Sequence, residues 1–224
     1  MKTRLALIDG VRTAPAPKLR GQCPLCGDDV IAKCGVVKAW HWSHKARLAC
    51  DPWWENETEW HRAWKNYFPV DWQEVVLFDE TTGEKHIADV RTSHSLVIEF
   101  QHSVLPPSEL KAREAFYRNM IWIVDGTRGE LDKDYFNLSR TGSPIADNPI
   151  AYGLWWLGKS RLFANWSGAA THVYIDFGEE VVWRLIYFDI HTKKGAVGPI
   201  PKTTFVEDLI SGEPIRKLAR LAPD

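Results

Sequence analysis

Cys23-Pro24-Leu25-Cys26-Gly27 puts two thiols one tight turn apart, and His41-Trp42-Ser43-His44 follows further along the chain. Two thiolates and two imidazoles are the soft and borderline donors of a tetrahedral zinc site. The turn aims both sulfurs at one centre, and Gly27 allows the tight backbone. Histidines three positions apart on a helical turn share a face. Cys23, Cys26, His41 and His44 are therefore the expected zinc ligands. The His spacing is one residue shorter than the usual pattern, and the alternative is buried thiols beside surface imidazoles. Cys34 and Cys50 are left over; either can replace a histidine, or remain a free thiol. A zinc ion would hold together a segment too small for its own core, so chelation should destabilise it.

A second set of residues is acidic. Glu57 and His61 lie four apart in a segment read as a helix, and Lys65 continues the row. Asp89 sits inside the strand-like run HIADVR. Glu99 sits inside LVIEFQ, flanked by Ile98 and Phe100, with Gln101 on the same strand face. A carboxylate inside an apolar strand costs several kcal/mol unless it is paired or metal-bound. Asp89 and Glu99 on successive strands would repel each other unless a cation intervenes. Hard oxygen donors suit Mg²⁺ or Mn²⁺, and such an ion activates water and steadies charge on a phosphoryl group. The alternative is that the two acids pair with Arg91, Arg113 or Lys85 at a sheet surface.

These residues need elements to position them. The pattern predicts a strand at 5–8, then a helix over 55–68 with Trp60, Trp64 and Phe68 on one face, stopped by Pro69. Strands follow at 73–79, 86–91 and 96–101, with Thr92–Ser95 as a short hairpin loop. Ser108 is the expected N-cap of a helix reaching about Met120, and 121–124 is an apolar strand. Residues 130–150 read as an irregular connection, 172–177 and 180–190 as a hairpin, and 204–211 as a last helix. The expected fold class is α/β with a mixed sheet. Its parts are a zinc-ribbon-like segment at 1–54, an αβββαβ core at 55–129 and a β-rich extension at 130–224.

The chain has 28 Lys+Arg against 29 Asp+Glu among 224 residues, a net charge of -1 that speaks against nucleic acid. The balance hides a segregation, because residues 1–50 are strongly basic and the remainder is acidic. A basic piece joined to an acidic body suggests nucleic-acid contact. Seven of the 12 Trp fall between Trp40 and Trp72. No apolar run approaches the ~20 residues that span a bilayer, and no secretory leader is visible. The expectation is a cytoplasmic protein with no membrane partner. The oligomeric state stays open, a homodimer included.

The run CPLC…HWSH, Glu57 with His61, ADVRT, VIEFQHS, Arg113 to Tyr117 and IWIV together resemble the CoiA-like competence proteins. Those are similar to PD-(D/E)xK nucleases carrying an N-terminal zinc-ribbon segment. The resemblance covers residues 23–126 and implies a restriction-endonuclease-like core. It implies Glu57 and His61 as the first-helix pair, Asp89 as the central metal ligand and Glu99 as the second. Gln101 falls where the broader superfamily has lysine. Ser103, Arg113 and Tyr117 fall at positions near substrate. The implied function is Mg²⁺- or Mn²⁺-dependent hydrolysis of DNA during recombination or processing. Catalysis would rest on Glu57, His61, Asp89, Glu99 and Gln101, and substrate contact on Lys65, Ser103, Arg113 and Tyr117.

Lys33, Lys38, Lys45 and Arg47 would add phosphate contacts from the zinc segment. Trp40 or Trp42 would either stack on a base or pack around the zinc. Two other readings compete. One is a zinc-dependent DNA-binding accessory that keeps the nuclease fold with little or no activity. The other is an interaction role for the Trp-rich body.

Overall fold

The computed structural model describes residues 2–45 and 50–212. It divides into two compact units, Met1–Arg91 and Thr92–Asp224. The division falls between the second and third strands of the segment expected as one core. Arg47 lies outside the described residues, as does the chain beyond residue 212.

The first unit opens on a six-stranded sheet of very short strands. They are β1 (Lys2–Thr3), β2 (Ala6–Ile8), β3 (Val11–Thr13), β4 (Arg20–Gln22), β5 (Asp29–Lys33) and β6 (His41–His44). All its pairings are antiparallel, in the order β1-β6-β5-β4-β2-β3. Strands this short show no period, so only the one near Leu5 is visible in sequence. A small core of Ala6, Cys23, Leu25, Val30 and Trp42 lies against the sheet. Trp42 is fully buried, and its Nε1 donates to the Thr13 carbonyl at 2.9 Å. It is packing, not a base platform. Trp40 is 46% exposed.

Helix α1 spans Glu59–Lys65, shorter at both ends than the 55–68 expected. Its start is set by a reciprocal cap. The His61 N–H donates to Thr58 Oγ1, and the Thr58 N–H donates to His61 Nδ1. The third helical position of such a box is usually Glu or Gln; here an imidazole takes that role. Glu57 therefore precedes the helix and does not share a helical face with His61. The buried row is His61, Trp64, Lys65 and Phe68, while Trp60 is only half-buried. That is the i, i+3, i+4, i+7 face of a helix. Two of its members are polar, so the apolar stripe read from sequence includes Trp64 and Phe68 but misses His61 and Lys65. Strands β7 (Gln73–Phe78) and β8 (Lys85–Arg91) then pair antiparallel, with Val75 opposite Ala88.

In the second unit β9 (Val97–Gln101), α2 (Pro107–Tyr117) and β10 (Met120–Asp125) make a parallel crossover, with Glu99 opposite Trp122. Both strands are buried at every position, as parallel strands covered on two faces are. α2 begins at Pro107, not after a Ser108 cap, because Pro pre-sets the first helical φ and needs no donor. The order α1–β7–β8–β9–α2–β10 is the expected αβββαβ succession.

Residues after 130 hold more structure than expected. Helix α3 (Asp132–Ser139) replaces an irregular connection. It is followed by β11 (Ala146–Asp147), β12 (Ile150–Trp155), α4 (Leu162–Trp166), β13 (His172–Asp176), β14 (Val181–Asp189), β15 (Lys194–Pro201) and α5 (Lys202–Ser211). β13 pairs parallel to β10, and β14, β15 and β12 follow antiparallel. The β-rich extension thus continues the sheet begun by β9 and β10. β15 is masked in sequence by Gly195, Gly198, Pro199 and Pro201. Gly195 is required, since a Cβ there would lie 2.4 Å from the Tyr187 carbonyl, beside a register shift in β14. Phe136 stacks on Phe177 at 4.5 Å and anchors α3 to this sheet. Among the described residues no helix is long and apolar enough to cross a membrane.

Candidate functional site

Cys23, Cys26, His44 and Cys50 converge in the first unit, their ligand atoms all within 4.8 Å of one another. The local fold explains the convergence. Gly27 N–H donates to the Cys23 carbonyl and Cys23 N–H to the Asp28 carbonyl, at 2.9 and 2.8 Å. Gly27 has φ +78°, which closes that turn between β4 and β5. His44 ends β6 opposite Val30 of β5, so its ring reaches the turn from the neighbouring strand. The strand period explains the exclusion of His41. β6 alternates faces, and Trp42 and His44 are buried while His41 and Ser43 are not. His41 Nδ1 instead meets the Ala39 carbonyl at 2.9 Å. Expecting a helical turn at 41–44 put both imidazoles on one face; a strand puts only His44 there, and Cys50 supplies the fourth donor. Cys34 stays outside the cluster.

The donor set fits zinc. Zn–S bonds of about 2.3 Å and Zn–N bonds of about 2.0 Å in a tetrahedron separate two sulfurs by about 3.8 Å and a sulfur from a nitrogen by about 3.5 Å. Cys23 Sγ and Cys50 Sγ are 3.7 Å apart. Cys26 Sγ and Cys50 Sγ stand 3.2 and 3.5 Å from His44 Nε2. Burial, and then the neighbouring Cys23 sulfur, push the Cys50 thiol well above its ordinary range. A bound metal reverses that preference by taking the thiolate form, so binding releases protons. Lys33, Lys38 and Lys45 are exposed on the same segment.

A second cluster in this unit centres on Lys65, whose side chain is only 5% exposed. Its Nζ stands 2.9 Å from Asp89 Oδ1 and 3.4 Å from both Glu57 Oε1 and Glu74 Oε1. Burial alone would strip the Lys65 proton. The Asp89, Glu74 and Glu57 carboxylates more than offset that, and the ammonium is held well above its ordinary range. Glu57 also pairs with Arg62 at 2.7 Å. Glu55 lies 3.9 Å from His61 Nε2. Asp89 and Glu57 keep side-chain exposures of 23% and 13%, so both carboxylates reach solvent.

Burial lowers the His61 imidazole below its ordinary value of 6.5, against the opposing pull of Asp89 and Glu55. Its Nδ1 accepts from the Thr58 N–H, so the neutral ring carries its proton on Nε2, toward Glu55. In this state His61 is a helix-capping acceptor and an Nε2 donor, not a base.

In the second unit Glu99 Oε2 accepts from Arg113 Nη1 at 3.0 Å, with both side chains under 8% exposed. Arg113 Nε also donates to Glu109 at 3.1 Å. Burial would lower the Arg113 guanidinium, but Glu99 and then Glu109 hold it up. Gln101 Nε2 donates to the Ser103 carbonyl and hydroxyl at 3.2 and 3.3 Å. Tyr117 is buried near the end of α2. The expected residues therefore gather as Glu57, His61, Lys65 and Asp89 in one unit, and Glu99, Gln101, Ser103, Arg113 and Tyr117 in the other. Glu74 was missed because it reads as an exposed strand residue; its φ of +49° turns it inward.

The class so defined is a mixed α/β protein with a Cys₃His centre of zinc type near its N-terminus. Residues 16–52 match the family model of the competence protein CoiA N-terminal domain, and in that segment the chain is CoiA-like. No curated protein and no solved structure matches the chain.

Two outcomes follow from this geometry. Metal analysis of purified variants should find zinc retained in His41→Ala and lost in Cys50→Ser, with a lowered melting temperature on chelation. Retention in Cys50→Ser would remove Cys50 from the ligand set. His61 binds its proton more weakly folded than unfolded, so its contribution to stability is full above pH 6.5 and is lost as pH falls through the lowered folded value. Melting curves should show His61→Gln losing less stability than wild type between pH 7.5 and 5.5. His172, also lowered by burial, would account for part of the fall that remains.

Proposed function

We propose that this chain is a metal-dependent nuclease acting on DNA. The observation that supports it best is the convergence of Asp89, Glu57 and Glu74 on Lys65, with Asp89 and Glu57 partly open to solvent. Oxygen-only donors of this kind suit Mg²⁺ or Mn²⁺. In this proposal Asp89 supplies a metal-binding carboxylate, and Glu57 adds a bridging or water-held contact. Such an ion supplies an activated water and charge stabilisation at phosphorus. Lys65, held protonated beside Asp89, offers a positive charge to the developing phosphorane. The exposed lysines of the zinc segment contact phosphates and so carry the salt-dependent part of DNA affinity.

A second reading has its own support. Glu99 is already paired with Arg113, and Gln101 is held by Ser103. Both facts favour a DNA-binding accessory whose nuclease fold works weakly or not at all. Labelled single- and double-stranded DNA incubated with Mg²⁺, Mn²⁺ or EDTA separates the two. The nuclease reading expects cleavage that needs the divalent ion and is lost in Asp89→Ala with zinc content unchanged. Absent cleavage by wild type, or full cleavage by Asp89→Ala, would reject it. Zinc-dependent, salt-sensitive binding without cleavage would establish the accessory reading in its place.

A further inference from the structure

The second unit holds a cleft of about 710 Å³ at the carboxyl ends of the parallel strands β9 and β10. Ligands of parallel sheets settle at this end, where strands stop and loops begin. Three loops line it: the residues after Gln101, those after Asp125, and those before α4. Leu105, Val124, Leu162 and Trp166 form an apolar wall. Arg128, Lys159 and Arg161 line the same cleft from exposed positions, and none has a carboxylate partner among the described residues.

The cleft also holds two carboxylates with different states. Asp125 is fully engaged. Its Oδ2 faces His102 Nδ1 at 2.7 Å, and its Oδ1 accepts from the Thr127 N–H and hydroxyl at 2.8 and 2.6 Å. Asp132 is not. It is 8% exposed and lines the cleft, and its carboxylate accepts no hydrogen bond among the described residues, so its oxygens are open to a donor that enters the cleft. Its position is built in, because a Cβ on Gly129 would lie 2.3 Å from Asp132 Oδ2, and the Asp132 N–H ties back to the Gly129 carbonyl at 2.9 Å.

We propose that this cleft binds a nucleotide unit. A planar base lies on the apolar wall and donates N–H groups to Asp132, while its phosphate meets Arg128, Lys159 and Arg161. A carboxylate accepts two parallel hydrogen bonds, and the guanine edge, with its ring N–H and amino group, offers that pair. Guanine is therefore the preferred base. The same chemistry is presented by a free mononucleotide and by the phosphorylated terminus of a strand. The inference needs no divalent ion and does not depend on the nuclease reading, so failure of DNA cleavage leaves it standing.

Calorimetric titration of the full zinc-loaded chain, without magnesium, tests it. The probes are dGMP, dAMP, inorganic phosphate and a single strand beginning with 5′-phosphorylated dG. Binding of dGMP or of the strand supports the proposal, and which of them binds more tightly identifies the source. Either ligand should bind at least about ten-fold more weakly to Lys159→Ala/Arg161→Ala, a surface change that leaves the fold intact. Asp132→Asn should abolish the preference for dGMP over dAMP, with its melting temperature checked alongside. Absence of binding by dGMP and by the strand would overturn the proposal. So would equal affinity for inorganic phosphate and dGMP, or unchanged affinity in both variants.

Discussion

The first unit depends on one buried ammonium. Lys65 is nearly out of water, and the cost of placing it there is met only because Asp89, Glu57 and Glu74 surround it. Each carboxylate arrives from a different place. Glu57 comes from the approach to α1, Glu74 from the start of β7 and Asp89 from the middle of β8. The ion pairs therefore fix the helix against the hairpin more sharply than a seven-residue helix could manage by its apolar contacts. Glu74 extends the tie, accepting the backbone N–H groups of Arg4 and Leu5 at 2.9 to 3.0 Å. Through it the start of the chain is bound to the same centre.

The zinc-type centre solves a different problem in the same unit. Strands of two to five residues cannot bury much surface, and the core there consists of little more than Trp42 and a few small side chains. A metal held by these four ligands would replace the missing apolar area, and the basic side chains of this segment would then project from a frame held by coordination as well as by packing.

How much was legible in sequence follows from which period each element obeys. β8, β9 and β10 are regular, β7 departs from regularity only at Glu74, and the boundaries of all four fall within a residue or two of expectation. The buried row of α1 was read only in part because His61 and Lys65 occupy inward positions that an apolar stripe assigns to solvent. The zinc ligands were three-quarters legible. Cys23 and Cys26 announce themselves by spacing, but choosing between His41 and Cys50 required knowing that 41–44 is a strand. Glu74 carries no signal at all, since its inward turn comes from a left-handed backbone that no β-strand pattern foretells. Asp89 and Glu99 were found as acids in apolar strands, and each also has the cation partner that the simpler reading demanded, although Lys65 was not among the partners considered for Asp89. The sheet beyond residue 130 was half visible, because glycines and prolines in β15 imitate a loop.

The central claim is that the carboxylates around Lys65 hold a divalent cation. Electron paramagnetic resonance of Mn²⁺ added to the zinc-loaded chain measures this directly. The account predicts saturable Mn²⁺ binding that is lost in Asp89→Asn while zinc content stays unchanged. Mn²⁺ that remains free at every concentration, or that binds Asp89→Asn as well as wild type, would contradict it.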